Sequence, residues 1–528
     1  MFRQSMTWLH TWSGLVFCWI LYLVFVTGTL GYFDTEIDHW MQPEYQLSEP
    51  VSSVEAVAAA QRYLQDAAAD GQNWNIRPAH GRDPLYLSVV WRTQNADDSE
   101  AATQFHSKKL DGVTGEPQPE ARDTTGGQTL YKMHYRLHYL PVQLGFYFVA
   151  IATMLMFIGL ITGVVAHKKI FVDFFTFRWA KGQRSWLDLH NIFAVATLPF
   201  QFMITYSGLL FTVALWMPFI ALGTYGFDFE ELSKVPEEVF GQTTIEPANV
   251  AVPLVDLQPL VKEAMDVWGD DRIRSVQVSH PGDANARVII DRAQGMSFLG
   301  ESMSFNGTTG DRIGVFNPSE FTAAVFPAVL IGLHVGHFAD TLIRWLYFLA
   351  GVLGAAMVAT GAIYWAIKRK PRSGSQVGFG YWLVDRLNVA TIVGLLAGIA
   401  AFFWANRVLP VSLEQRGEWE LHAMFMVWGT CFLHACVRPL KKAWIEQCVA
   451  VSALLLALPV LNLVTTDVHL FASLSQGDWY RAGFDLTVFM CGLVALLAAA
   501  LISRHWQTQS LPLALPEINQ IEQPASAG

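Results

Sequence analysis

The stretch WLHTWSGLVFCWILYLVFVTGTLGYFD, residues 8–34, decides how the chain is read. From Trp12 to Phe33 it is an uncharged apolar run, long enough to cross a bilayer, for which about 20 residues are needed. It is too long for the apolar core of a signal peptide. Asp34, Glu36 and Asp38 follow it instead of a small-residue cleavage site, so it reads as an uncleaved anchor. It carries a histidine at its mouth, and the layout returns downstream in LDLHNIFAVATLPFQFMITYSGLLF, residues 187–211. In both, a His stands 18 residues before a Gly: His10 before Gly28, and His190 before Gly208.

The rest of the chain fits a membrane protein. Of 528 residues, 52% are hydrophobic and only 15% charged, so much of the surface faces lipid or other helices. The net charge of −10 argues against a nucleic-acid partner. Eight apolar runs are long enough to span, at roughly 12–33, 142–166, 189–213, 343–367, 388–405, 420–437, 443–463 and 483–503. Threading them through a bilayer puts Arg3, the Lys168–Arg184 cluster, the Lys368–Arg372 cluster, Arg438, Lys441, Lys442 and Arg504 on one side. By the positive-inside rule that side is cytoplasmic, and both termini lie there. The expected location is a bacterial inner (cytoplasmic) membrane.

The predicted plan is helix 1 (1–33), an external segment (34–141), helices 2 and 3 (142–213), a second external segment (214–342), helix 4 (343–367), a C-terminal four-helix bundle (388–503) and a disordered cytoplasmic tail (511–528). In a Gram-negative cell the external segments are periplasmic. All five cysteines fall in apolar runs, with no CxxC pair, so neither a disulfide framework nor a thiolate metal centre is expected outside the membrane.

The chain also repeats itself. Helices 2 and 4 are each preceded by Leu-His (Leu137-His138, Leu333-His334), and each ends near Thr-Gly (Thr162-Gly163, Thr360-Gly361). Each external segment opens with an amphipathic helix, 52–67 and 254–269. Each continues with alternating strand-like runs at 84–92, 273–279 and 286–292. Each reaches a turn of similar composition, Asp111–Gly115 and Asn306–Gly310. These features together, LHTWSG foremost, resemble the PepSY-associated transmembrane family over about residues 1–370. The resemblance implies a polytopic α-helical membrane protein of about eight helices, with two extracytoplasmic α+β (PepSY-like) domains inserted between helices 1 and 2 and between helices 3 and 4. Members include inner-membrane ferric-siderophore reductases. Residues 371–528 add four helices that shorter members lack.

Ionisable groups in a membrane region are costly and mark function. His10 and His190 open helices 1 and 3 at the cytoplasmic face; His138 and His334 precede helices 2 and 4 at the external face. One His from each repeat at each face suits bis-histidine ligation of haem iron, because neutral imidazole is a metal ligand and helix bundles hold such ligands on facing helices. The expectation is two haems b, with His10, His190, His138 and His334 as axial ligands. Gly28, Gly208, Gly163 and Gly361 leave room at the same levels. His134, four residues before His138, and His337, three after His334, compete for the external positions. Arg136 and Arg344 are candidates for haem propionates or an anionic substrate, and equally for interfacial anchors. His167 reads as interfacial. His422 and His434 read as packed residues or as part of a third centre, and His39, His80, His106, His280, His469 and His505 as surface or loop residues.

No GxGxxG follows a strand and no P-loop is present, so electrons are expected from quinol or a separate cytoplasmic donor. The expected activity is haem-dependent transmembrane reduction of an external acceptor, most simply ferric siderophore or its periplasmic carrier. Two other readings fit the same sequence: a membrane-anchored PepSY module that binds or inhibits a partner, and a transporter built from repeated helix pairs.

Overall fold

The computed structural model describes residues 1–47, 51–69, 71–79, 85–93, 104–179, 181–213, 245–293, 295–317, 322–370 and 378–510. The tail 511–528, His80 and all of 214–244 lie outside them. Among the described residues seven helices are long and apolar enough to cross a membrane, and a bent pair makes an eighth if counted as one span. The chain is a multi-pass membrane protein.

The duplication is visible in the helices. In the first repeat α1 (Phe2–Val16) and α2 (Cys18–Leu30) are separated by a break at Phe17. α3 (Asp34–Met41) then leads to α4 (Ser53–Ala67), and α5 (Gly126–Tyr135) returns to α6 (Val142–Ala166). In the second repeat α7 (Gln183–Ala196) and α8 (Leu198–Phe211) are broken at Thr197, α9 (Gln258–Trp268) matches α4, and α10 (Thr322–Val335) precedes α11 (Thr341–Lys368). Phe17 and Thr197 adopt the same backbone geometry, φ −116°, ψ 13° and φ −114°, ψ 12°. The α7–α8 bend is 70°. Each break follows its histidine at the same spacing, so the break belongs to the repeated unit.

The two expected α+β units share one sheet. Strands β1 (Asn73–Arg77), β2 (Leu87–Thr93) and β3 (Gln104–Leu110) come from the first repeat. Strands β4 (Ile273–Ser279), β5 (Arg287–Arg292), β6 (Ser302–Asn306) and β7 (Arg312–Phe316) come from the second. The order is β3-β2-β1-β4-β5-β6-β7, antiparallel throughout, and the repeats join where β1 pairs β4 with Ile76 opposite Val276. One face is buried, as Val276 and Val278 of β4 show by entering the core while Ser275 and Gln277, which alternate with them, bond Asp291 on the other face. Helices α4 and α9 cover that face over a core that includes Val57, Leu64, Ile76, Val276, Ile290 and Phe305. Ser52 caps α4 in a reciprocal box with Glu55. Both expected turns form by one device. The Asp111 and Asn306 side chains accept backbone N–H bonds from the turn, and Gly115 and Gly310 take φ of 78° and 79°. The N–H of Thr114 holds the Asp111 carboxyl below its ordinary pKa.

The C-terminal helices are α12 (Phe379–Ile392), α13 (Gly394–Val408), α14 (Arg416–Val437), α15 (Leu440–Thr465) and α16 (Trp479–Ser510). They pack on the first repeat through a shared core of Leu23, Trp40, Leu130 and Met133 with Leu395, Phe402, Leu421 and Met424. Trp19 donates to Asn388 at 3.0 Å and Tyr22 to the Ile392 carbonyl at 2.9 Å.

Candidate functional site

Two cavities of about 320 Å³ each lie within the helices of the duplicated region. The first is at the basic end of the bundle, where Lys368, Arg369 and His167 line it with His10, His190, Gly163 and Gly361. The second is at the end from which the chain leaves for the sheet. Its walls carry His134, His334, Gly28, Gly208 and the rings of Tyr32, Tyr131 and Tyr135. Leu21 and Met156 line both, so one layer of side chains separates them.

Each cavity holds two facing imidazoles. His10 and His190 have ring centroids 6.2 Å apart, and His134 and His334 are at 5.9 Å. The four are held alike. His10 Nδ1 donates to the Gly159 carbonyl at 2.8 Å, His190 Nδ1 to Met357 at 2.9 Å and His134 Nδ1 to Val24 at 2.8 Å. Each acceptor stands four residues before the matching glycine: Gly163, Gly361 and Gly28. His334 Nδ1 meets the Ser207 hydroxyl at 2.8 Å, and that hydroxyl lies 3.2 Å from the carbonyl of Ile204, four before Gly208. A carbonyl only accepts, so Nδ1 of His10, His190 and His134 carries the proton. Ser207 already donates to Met203 at 2.6 Å, so it too accepts from His334. Among the described residues no Nε2 of the four makes a hydrogen bond, which leaves its lone pair for a metal.

The glycines explain how the rings fit. A Cβ on Gly163 would stand 3.0 Å from His10 Cε1, and one on Gly361 3.0 Å from His190 Cε1. On Gly28 it would stand 2.3 Å from His134 Nδ1, and on Gly208 3.5 Å from His334 Cε1. The residue before each glycine is Thr162, Thr360, Thr27 or Ser207, and its hydroxyl back-bonds to the carbonyl four residues earlier. Small residue and hydroxyl together open a notch in one helix for a ring from the next.

These are not sites for a bare ion. Among the described residues no group of three or more His, Cys, Asp or Glu is placed to hold a metal. The unit is a pair. An imidazole nitrogen lies about 2 Å from a bound metal and about 1 Å from its own ring centre, so two axial imidazoles on one iron put ring centres about 6 Å apart. Both pairs meet that spacing, and the residues fit a bis-histidine haem in each cavity.

The profile of the PepSY-associated TM region matches residues 7–368. The chain belongs to this family. No curated protein matches it. The match ends at the last turn of α11, so both cavities of this PepSY-associated protein, Arg369 apart, are lined from the family region, and the C-terminal helices lie beyond it.

The expected site residues divide. His10, His190 and His334 line the cavities, whereas His138 does not, and His134 stands there instead. His138 sits past the end of α5, stacked on Phe425 at 5.5 Å, with its Nε2 buried and unbonded. The Leu-His match misaligned the repeats. His134 and His334 stand eight and seven residues before Val142 and Thr341, where the next helices start, and His138 stands only four. His337 is in an exposed turn outside the cavity, and Arg136 caps α5 without lining it.

Arg344 lines neither cavity. It is buried, 2.5 Å from Glu36, and lies over the Phe33 ring. Arg344→Ala leaves the Glu36 carboxylate buried without its partner, expected to cost about 3–5 kcal/mol. The measurement is a fall in the thermal midpoint of the purified protein.

His167 pairs with Asp173 at 3.1 Å, and His434 with Glu446 at 2.9 Å. His39, expected on the surface, is fully buried between Asp478, at 2.8 Å, and the Tyr86 hydroxyl. Arg481 bonds the same Asp478 at 3.0 Å. Beside them Lys109 lies over Tyr45 and Tyr86, at 3.9 and 4.2 Å, and burial pushes its pKa down to about 8. This polar cluster ties the sheet to the C-terminal helices.

Proposed function

We propose that this protein is an inner-membrane di-haem b oxidoreductase, with its termini in the cytoplasm, that passes electrons to a periplasmic acceptor. The observation that carries the reading is the pair of facing imidazoles in each of two stacked cavities, at ring spacings of 6.2 and 5.9 Å. His10 and His190 would hold one haem, and His134 and His334 the other. Bound haem supplies a one-electron Fe(III)/Fe(II) couple.

The chain's own residues fix the imidazoles through Gly159, Met357, Val24 and Ser207, and set the tautomer that presents Nε2. Lys368 and Arg369 place positive charge at the mouth of the first cavity, where the carboxylates of a tetrapyrrole are best stabilised. Leu21 and Met156 keep the two sites one side chain apart while excluding water between them.

The acceptor class this reading favours is ferric iron held by a siderophore. Reduction to Fe(II) weakens binding by hard oxygen donors and releases the iron. The sheet, at the second cavity's end of the bundle, would receive the chelate or its carrier. Electrons come from quinol or a cytoplasmic donor. The test uses proteoliposomes with reductant inside and ferric siderophore outside, with Fe(II) trapped by a chromogenic chelator. Wild type is expected to reduce the iron and His334→Ala to lose that activity. Equal rates in the two would sink the proposal.

A further inference from the structure

Helix α5 brings His134 to the second cavity, and a single helix from beyond the family region grips it at both ends. That helix is α14. Before α5, the Gly417 N–H donates to the Asp123 carboxylate at 3.0 Å, Arg416 donates to the Asp123 carbonyl at 2.9 Å, and the Thr124 hydroxyl donates to Glu420 at 2.5 Å. Glu420 is itself fixed by Arg416 at 2.5 Å and Asn406 at 2.7 Å, and all three are fully buried. After α5, the Tyr139 hydroxyl lies 2.5 Å from His422 Nδ1, and the two rings stack at 5.9 Å. Phe425 packs on both His138 and Tyr139. Along the middle, Leu130 and Met133 enter the same core as Leu421 and Met424.

Tyr139 adopts φ of 64°, a left-handed conformation that a bulky residue keeps only when its surroundings enforce it. A buried carboxylate, a buried guanidinium, a buried amide and a strained tyrosine are costly ways to hold a surface loop. They make sense as a means of fixing what lies between them. Neither cavity is lined by any residue beyond Arg369, so α14 acts on the second site indirectly, through α5 and the core it shares with Leu23 of α2. The first site is held differently: His10 and His190 bond to α6 and α11, and the C-terminal contact there comes from α12, whose Asn388 donates to the Ala362 carbonyl at 3.3 Å, not from α14.

We propose that α14 is the positioning element of the second cavity. Through Arg416 and Glu420 at one end of α5, and His422 at the other, it sets where the His134 imidazole stands. This assigns a role to the helices that the shorter family plan lacks. It rests on the reading of His134 as a haem ligand, but its mechanical part does not.

The experiment uses full-length protein in nanodiscs and two variants, His422→Ala and the double Glu420→Gln/His422→Ala. Hydrogen exchange reads the hold directly. Amides 130–135 are expected to exchange at least about tenfold faster in the double variant, with amides 187–195 of α7 unchanged as the folding control. Haem content and low-spin EPR read the consequence. One of two signals, the one that His334→Ala also removes, should shift or vanish while the other persists. His422→Asn, whose amide reaches the place of Nδ1, should restore it. Unchanged exchange in the double variant, or equal change at both haem signals, overturns the proposal. Faster exchange in a protein that binds no haem even as wild type would sink the haem reading and keep the hold on α5. Unchanged exchange with two haems would do the reverse.

Discussion

His190→Ala is expected to leave about half of the haem, close to one per chain, with the lost component being the one that His10→Ala also removes. The physical reason is that each cavity sets two imidazoles face to face, while His167, which also lines the first, is engaged by Asp173 at 3.1 Å, and no group of three metal-binding side chains stands among the described residues. Removing one leaves an iron held by a single axial nitrogen in a site whose walls were shaped for two rings. The cost should be confined to one cavity, because Leu21 and Met156 separate the sites and each imidazole is anchored on a different helix pair. Pyridine haemochrome quantification checks the amount, and a redox titration shows which component went. Loss of both haems would mean that the sites are not independent.

His134→Ala and His138→Ala should behave oppositely, although the residues are one helical turn apart in sequence. The first removes an imidazole that faces His334 at 5.9 Å and is held by the Val24 carbonyl. The second removes a ring stacked on Phe425 outside the cavity. His134→Ala is therefore expected to lose the second haem and with it reduction of an external acceptor. His138→Ala should keep about two haems and lose only packing, about 1 kcal/mol or a little more for an aromatic contact. Gly28→Leu should mimic His134→Ala without touching a ligand, since even a Cβ there would stand 2.3 Å from His134 Nδ1. Retention of two haems by His134→Ala and loss of one by His138→Ala would restore the assignment that the Leu-His pattern suggested.

Much of the fold was legible because bilayer thickness imposes a length on apolar runs. Each of the eight runs overlaps a candidate span or the bent α7–α8 pair, although the first, 12–33, straddles the break at Phe17 and the helical span there is Cys18–Met41. The paired His-to-Gly spacing was legible because a notch for a ring needs a glycine at the ring's own level. What the spacing hid was which ring meets Gly28: it is His134 and not His138, whereas Gly163 and Gly361 meet His10 and His190, the histidines at their own level. The strands of the two external segments were partly visible, but their union was not. β1 is the short polar run Asn73–Arg77, and its pairing with β4 joins residues far apart in sequence. His39 is the clearest failure. Its acidic neighbours suggested a surface, while its partner Asp478 lies 439 residues away. Local composition carries no trace of a contact at that range. The same holds for Glu420, whose partners include Thr124 and Asn406.

The central claim is that the two imidazole pairs hold haem. A reduced-minus-oxidised visible spectrum of the purified protein, with pyridine haemochrome quantification, tests it most directly. Low-spin b-type bands at about two haems per chain are the expected result. A protein that stays colourless after haem supplementation would contradict it.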